Sequence, residues 1–111
     1  MDDIDFNLMK RWVNDLRTTK VEQAYGSLRL CSFDGTPLDC FCALGRFYAI
    51  QGATWRQDPV VKSAMNVDNW KDLPGVPSWL GEEVFTMNDG GSTFAEIADY
   101  IENELDKLTT L

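Results

Sequence analysis

Glu82-Glu83, followed by Glu96 and Asp99 three residues apart, is the set of side chains in this sequence best suited to chemistry. Paired carboxylates on helices can hold Mg²⁺ for attack on a nucleotide phosphate, which makes a Mg²⁺-dependent nucleotide hydrolase one reading. The set is incomplete, because Val84 and Phe85 follow the first pair where a third acid would be needed one turn on. Glu96 and Asp99 also fit the solvated side of an amphipathic helix. Histidine is absent, so no Ser-His or Cys-His nucleophile pair and no imidazole-ligated metal forms within one chain. Cys31, Cys40 and Cys42 lack both C-x2-C knuckles and a fourth ligand, so zinc is not expected and the thiols read as small packing residues. No catalytic residue, metal or cofactor is expected on these grounds, and the chain reads as non-enzymatic.

Tryptophan is the second source of chemistry. Trp12 falls on a helical apolar stripe and belongs to the core. Trp55, Trp70 and Trp79 lie in an irregular stretch with Arg56, Lys62 and Lys71. Aromatic faces beside cations suit an anionic or planar ligand, so Trp55, Arg56, Trp70, Lys71 and Trp79 form a candidate pocket. A homo-oligomer carrying such pockets would act as a sponge for a nucleotide signal. The competing reading is that these rings clamp a long loop onto the core.

The formal charge of −8 is unevenly spread. Residues 1–81 hold ten acids against nine bases, whereas residues 82–111 hold eight acids against Lys107 alone. An acidic segment of this kind repels nucleic-acid phosphate and attracts a basic protein surface. Asp99, Glu102 and Asp106 follow at helical steps away from the apolar stripe and are the candidate contact surface. The other use of such a surface is solubility. No apolar run reaches the roughly 18 to 20 residues of a membrane helix. The start, Met1-Asp2-Asp3-Ile4-Asp5, is acidic where a signal peptide would be basic. Three cysteines at irregular spacing fit a reducing compartment, so a cytoplasmic location is expected.

Composition and length point to one domain over residues 1–111. Asp5 caps a helix in which Phe6, Met9, Trp12, Val13 and Leu16 recur at helical spacing, ending near Thr18-Thr19. From Tyr25 the pattern alternates towards Asp34-Gly35, a hairpin dipeptide, with a short return strand limited by Pro37. Asp39 is read as the N-cap of a second, nearly uncharged helix over residues 40–50, the buried centre of the fold, with Leu44 in its core and Gly52 as its stop. Gly45 inside it signals close backbone packing. Residues 53–81 read as a wrapping loop with one or two short helices, and Asn88-Asp89-Gly90-Gly91 as a turn. Thr93 and Glu96 form a capping box for a last helix carrying Phe94, Ile97, Ala98, Ile101, Leu105 and Leu108 on one face. The class is α+β: a β-hairpin and a central buried helix, flanked by N- and C-terminal amphipathic helices.

Three segments together resemble a family of small proteins encoded by tailed phages and prophages. They are Trp12-Val13 with Leu16-Arg17, Gln23, Gly26 and Leu28-Arg29; Phe41-Cys42-Ala43-Leu44-Gly45; and Asn88-Asp89 leading into Thr93-Phe94-Ala95-Glu96-Ile97-Ala98-Asp99-Tyr100-Ile101-Glu102. The family's aromatic-Cys-Cys-Leu-Gly helix has Ala43 here in place of one cysteine, which speaks against a metal role for that pair. Residues 53–75 show no likeness. The resemblance implies a context, a phage-infected or prophage-bearing cell, and no particular chemistry. With the acidic C-terminal third, it points to an accessory protein that binds a host or phage protein, blunting a defence system being one such action.

Overall fold

The computed structural model describes residues 5–109, so the acidic stretch Met1-Asp2-Asp3-Ile4 lies outside the described residues. The chain is α+β, in the order α1 (Phe6–Thr18), β1 (Glu22–Gln23), β2 (Arg29–Cys31), β3 (Pro37–Phe41), α2 (Ala43–Ala49), β4 (Trp55–Gln57), β5 (Ala64–Val67), a 3₁₀ turn (Trp70–Asp72), α3 (Ser78–Asp89) and α4 (Phe94–Thr109). The five strands form one mixed sheet in the order β1-β3-β2-β5-β4, with only the β1–β3 pairing parallel. Helices and sheet are segregated, and the molecule is elongated, 49 × 28 × 21 Å.

The main core is helical. Asp5 caps α1 by accepting from Leu8 N–H at 3.0 Å, and the helix buries Leu8, Met9, Trp12, Val13 and Leu16. These pack on Ala43 and Phe47 of α2, Leu80 and Val84 of α3, and Ile97, Ala98, Ile101 and Leu105 of α4. Trp12 is fully buried, so its indole N–H must find an acceptor, and it donates to the Ala43 carbonyl at 2.9 Å. The Thr93–Glu96 capping box forms in both directions, at 2.9 and 3.2 Å. An Arg46–Asp15 pair, bidentate at 2.8 and 2.7 Å and mostly buried, joins α2 to α1.

The hairpin turns at Asp34-Gly35, where Gly35 has φ +88°. Its return strand extends further than the sequence suggests. Asp39 is an exposed strand residue rather than a helix cap, because β1 pairs with Cys40 and Phe41 and holds the chain extended to that point. Cys42 then caps α2, its sulfur accepting from Gly45 N–H at 3.3 Å. This later start moves the helix face, so Phe47 is fully buried and Leu44 only partly so. Residues 53–81 are a second correction. They contain the strands β4 and β5, the 3₁₀ turn and the start of α3, which extends through Asn88-Asp89 before the chain turns at Gly90-Gly91.

Gly45 is where helix and sheet touch. A Cβ there would lie 1.8 Å from the Leu28 carbonyl oxygen, and that carbonyl already accepts from Cys42 N–H at 3.1 Å. Neither backbone can give way alone. Gly45→Ala is therefore expected to cost about 3 kcal/mol or more, and Phe47→Ala about 3–5 kcal/mol, with Leu44→Ala costing clearly less than Phe47→Ala. Urea unfolding of the three variants checks this; a Gly45→Ala cost below about 1 kcal/mol would refute the close contact.

Candidate functional site

Strand register decides which side chains share a face of the sheet. Arg29 stands opposite Phe41 and Met65, Gln57 opposite Met65, and Trp55 opposite Val67. On that side the Arg29 guanidinium lies 4.6 Å from the Phe41 ring centre and 5.5 Å from that of Trp55, and the two rings meet edge to face at 5.7 Å. Arg56 stands opposite Asn66 on the other side. There two hollows adjoin, sharing Leu28 and Asn66 in their walls. One, of about 220 Å³, is bounded by Val61, Ala64 and Phe85. The other, of about 380 Å³, is bounded by Tyr48, Arg56 and Trp70.

The candidate pocket is thus divided. Arg56 and Trp70 line one hollow, and Lys71 places its ammonium 5.6 Å from the Trp70 ring centre. Trp55 is held on the opposite side of the sheet by Phe41 and Arg29. Trp79 is exposed on the first turn of α3 and lines neither hollow.

Two loops meet at one end of the sheet, and both present apolar side chains to solvent. Phe33 is 80% exposed, Val60 83% and Val61 52%. Gln57 fastens the loops together, donating to the Phe33 carbonyl at 3.1 Å and to the Lys62 carbonyl at 2.8 Å. Each loop is also pinned by an aspartate. Asp34 accepts from the Ser32 hydroxyl and, at 2.9 Å, from Thr36 N–H. Asp58 accepts from Val60 N–H and Val61 N–H, both at 2.8 Å, and from the Asn66 amide at 2.9 Å. Donors aimed at a carboxylate favour its ionised form. The Ser32 hydroxyl and the Thr36 donors hold Asp34 down at about 2, and the Val61, Asn66 and Val60 donors hold Asp58 below its ordinary value. Composition alone gives no sign of this apolar end, because Phe33 sits in an alternating strand pattern and Val60-Val61 follows Pro59.

The acidic residues of α4 have divided roles. Asp99 and Glu102 both pair with Arg17 of α1, Asp99 at 2.7 Å, and these two partners raise the Arg17 pKa. Their carboxylates stay largely open to solvent, with side-chain exposures of 69% and 51%. Glu102 and Asp106 line a groove of about 310 Å³ between α1 and α4, floored by Val13 and Leu105 and edged by Lys10 and Arg17.

The carboxylates considered for Mg²⁺ do not converge. Glu96 closes the Thr93 capping box, and Glu82 and Glu83 are exposed on α3. Among the described residues no three Cys, Asp or Glu side chains are grouped to hold a metal ion. Nor is any helix among them long and apolar enough to cross a membrane. The cysteines are unpaired, and burial pushes the Cys40 and Cys42 thiols up, away from the reactive thiolate. Comparison with protein-family models, with curated proteins and with solved structures finds no match to this chain.

The Asp34 turn carries a pH signature. Its folded pKa, about 2, lies below the ordinary 3.8, so its stabilising effect is full above the unfolded value and disappears as pH falls through the folded one. Carboxyl NMR titration should place Asp34 near 2, and Asp34→Asn should remove the hairpin's acid response below pH about 4. An ordinary titration midpoint for Asp34 would contradict the hydrogen bonds assigned to it.

Proposed function

We propose that this is a non-enzymatic binding protein that docks on a protein partner through the end of the sheet bearing Phe33, Val60 and Val61. The single observation that carries the reading is the exposure of these three side chains on two adjacent, pinned loops. Isolated exposed apolar residues are ordinary on protein surfaces, whereas three on two loops fastened to each other by Gln57 support a contact surface. Burying them in an interface is worth about 1.5–3 kcal/mol each at full burial, and the pinned turns lower the entropy lost on association.

The partner has an apolar recess and a basic surface around it. Asp34, in the hairpin turn, and Asp58, where the chain leaves β4, remain ionised at neutral pH, with Lys62 the one base between β4 and β5. The acids of α4 add a longer-range field that attracts a basic surface and raises the association rate. With the resemblance to small phage and prophage proteins, this supports an accessory protein acting in the host cytoplasm on a host or phage protein, counter-defence being its proposed outcome.

The test is capture of the partner from phage-infected or prophage-bearing cells, followed by binding of the purified pair. Phe33→Asp with Val60→Asp should weaken the complex about 100-fold or more while leaving the fold intact. Charge reversal at Asp99, Glu102 and Asp106 should slow association and reduce its salt dependence, with a smaller effect on dissociation. Capture that survives Phe33→Asp/Val60→Asp unchanged would overturn the proposed surface.

A further inference from the structure

A different part of the molecule has the chemistry of a small-ligand site. The hollow beside β4 and β5 measures about 380 Å³, within the range of pockets that hold small molecules. It is built by specific local bonds. Asn69, just before the 3₁₀ turn, accepts from Thr54 N–H at 2.9 Å, and Asp68 N–H donates to the Thr54 carbonyl at 2.7 Å. These two contacts hold the start of β4 against the turn, so that Trp70 and Arg56 line the same space. Tyr48 of α2 forms the opposing wall.

The groups around this hollow have unused donor capacity. Arg56 meets Asp68 at 3.8 Å, with both side chains more than half exposed, and its charge also reaches the Asp58 carboxylate. A contact that long leaves most of the five guanidinium N–H groups for another acceptor. The Tyr48 hydroxyl forms no hydrogen bond with any described residue, and burial raises its pKa, so it keeps its proton at neutral pH. Trp70 is 56% exposed and offers a ring face, with the Lys71 ammonium close by. Against these donors stand two carboxylates, Asp68, paired with Arg56, and Asp58, which is bonded to the Asn66 amide and already accepts from two backbone N–H groups.

We propose that this hollow binds a small planar aromatic anion, its ring against the Trp70 indole and its phosphate or carboxylate on Arg56, with Lys71 and the Tyr48 hydroxyl as further donors. Stacking and charge must act together, because an exposed guanidinium alone binds an anion weakly in water and an exposed indole alone binds a ring weakly. The anion displaces Asp68 from Arg56. This site uses residues other than those of the protein-docking surface, and it stands or falls separately from that reading.

The experiment is a titration of the ¹⁵N-labelled full chain followed by NMR, with AMP and anthranilate as the two planar anions and with adenosine and inorganic phosphate as the separate halves. AMP, anthranilate or both should shift the Trp70 indole N–H and the Arg56 Nε–H saturably; AMP alone would mark a phosphate ligand and anthranilate alone a carboxylate. Adenosine and phosphate should each bind about tenfold more weakly or worse, and Trp70→Leu and Arg56→Gln should each lower affinity by about tenfold. Both replaced side chains are exposed, so the fold is retained, and Trp79→Leu and Phe33→Asp/Val60→Asp should leave binding unchanged. No saturable shift with either planar anion would overturn the site, as would equal affinity in Arg56→Gln.

Discussion

The side-chain amide of Asn88 is the constraint on which the arrangement of helices and sheet depends. Asn88 is 1% exposed and, among the described residues, is the one buried polar side chain in a core of apolar ones. Its oxygen accepts from Ala43 N–H at the start of α2, at 3.1 Å, and from the Gln23 side chain of β1, at 2.9 Å. Its nitrogen donates to the Ala24 carbonyl at 2.8 Å and reaches the Asp89 carboxylate at 3.3 Å. Every hydrogen-bonding position of the amide is therefore occupied. Gln23 continues the network to the Ser92 carbonyl, and Asp89 to Gly26 N–H. One residue of α3 thus fixes the entry to α2, the edge strand β1 and the segment before β2. A buried amide with all its partners specifies a unique arrangement, whereas loss of any partner leaves a costly orphan.

Both proposed surfaces follow from that arrangement. The main apolar core lies among the four helices, and the buried apolar residues of the strands, Cys31, Phe41, Ala64, Met65 and Val67, lie outside it. The sheet therefore extends beyond the helices and exposes its far loops. Asp34, Asp58 and Gln57 set the shape of those loops, so Phe33, Val60 and Val61 are displayed on a fixed frame. On the side of the sheet bearing Arg56, the contact between Gly45 and Leu28 brings α2 close enough for Tyr48 to form one wall of the second hollow.

The legible parts of the sequence were those with local signals. Asp5 with its apolar stripe and the Thr93–Glu96 box each fix a helix through contacts within a few residues. Asp34-Gly35 marked the hairpin, and Gly45 marked a close approach. The parts that stayed hidden are set by distant partners. Asp39 has the chemistry of a helix cap, yet pairing of Cys40 and Phe41 with β1 keeps it in a strand. The three residues of β4 and four of β5 are too few to show alternation, and Pro59 lies between them. Asn88-Asp89 has the composition of a turn, but its side chains bond to residues 45 to 65 positions away, which no local pattern encodes. The acids of α4 were legible as an exposed row, while the pairing of Asp99 and Glu102 with Arg17 depended on the packing of the two terminal helices.

The most direct measurement of the Asn88 account is native-state hydrogen exchange in the natural chain and in Asn88→Leu, which keeps the branching and the number of heavy atoms and removes the amide's hydrogen bonds. In the natural chain, amides of the sheet such as Cys31 and Asp58 should open with the helical core, represented by Ile101, in one cooperative unit. In Asn88→Leu, the sheet amides should lose protection by about tenfold or more relative to Ile101, because two orphaned backbone groups at Ala24 and Ala43 loosen the joint between the two parts. If protection in sheet and helices falls equally, or does not fall, then Asn88 is not what joins them and the account fails at its centre.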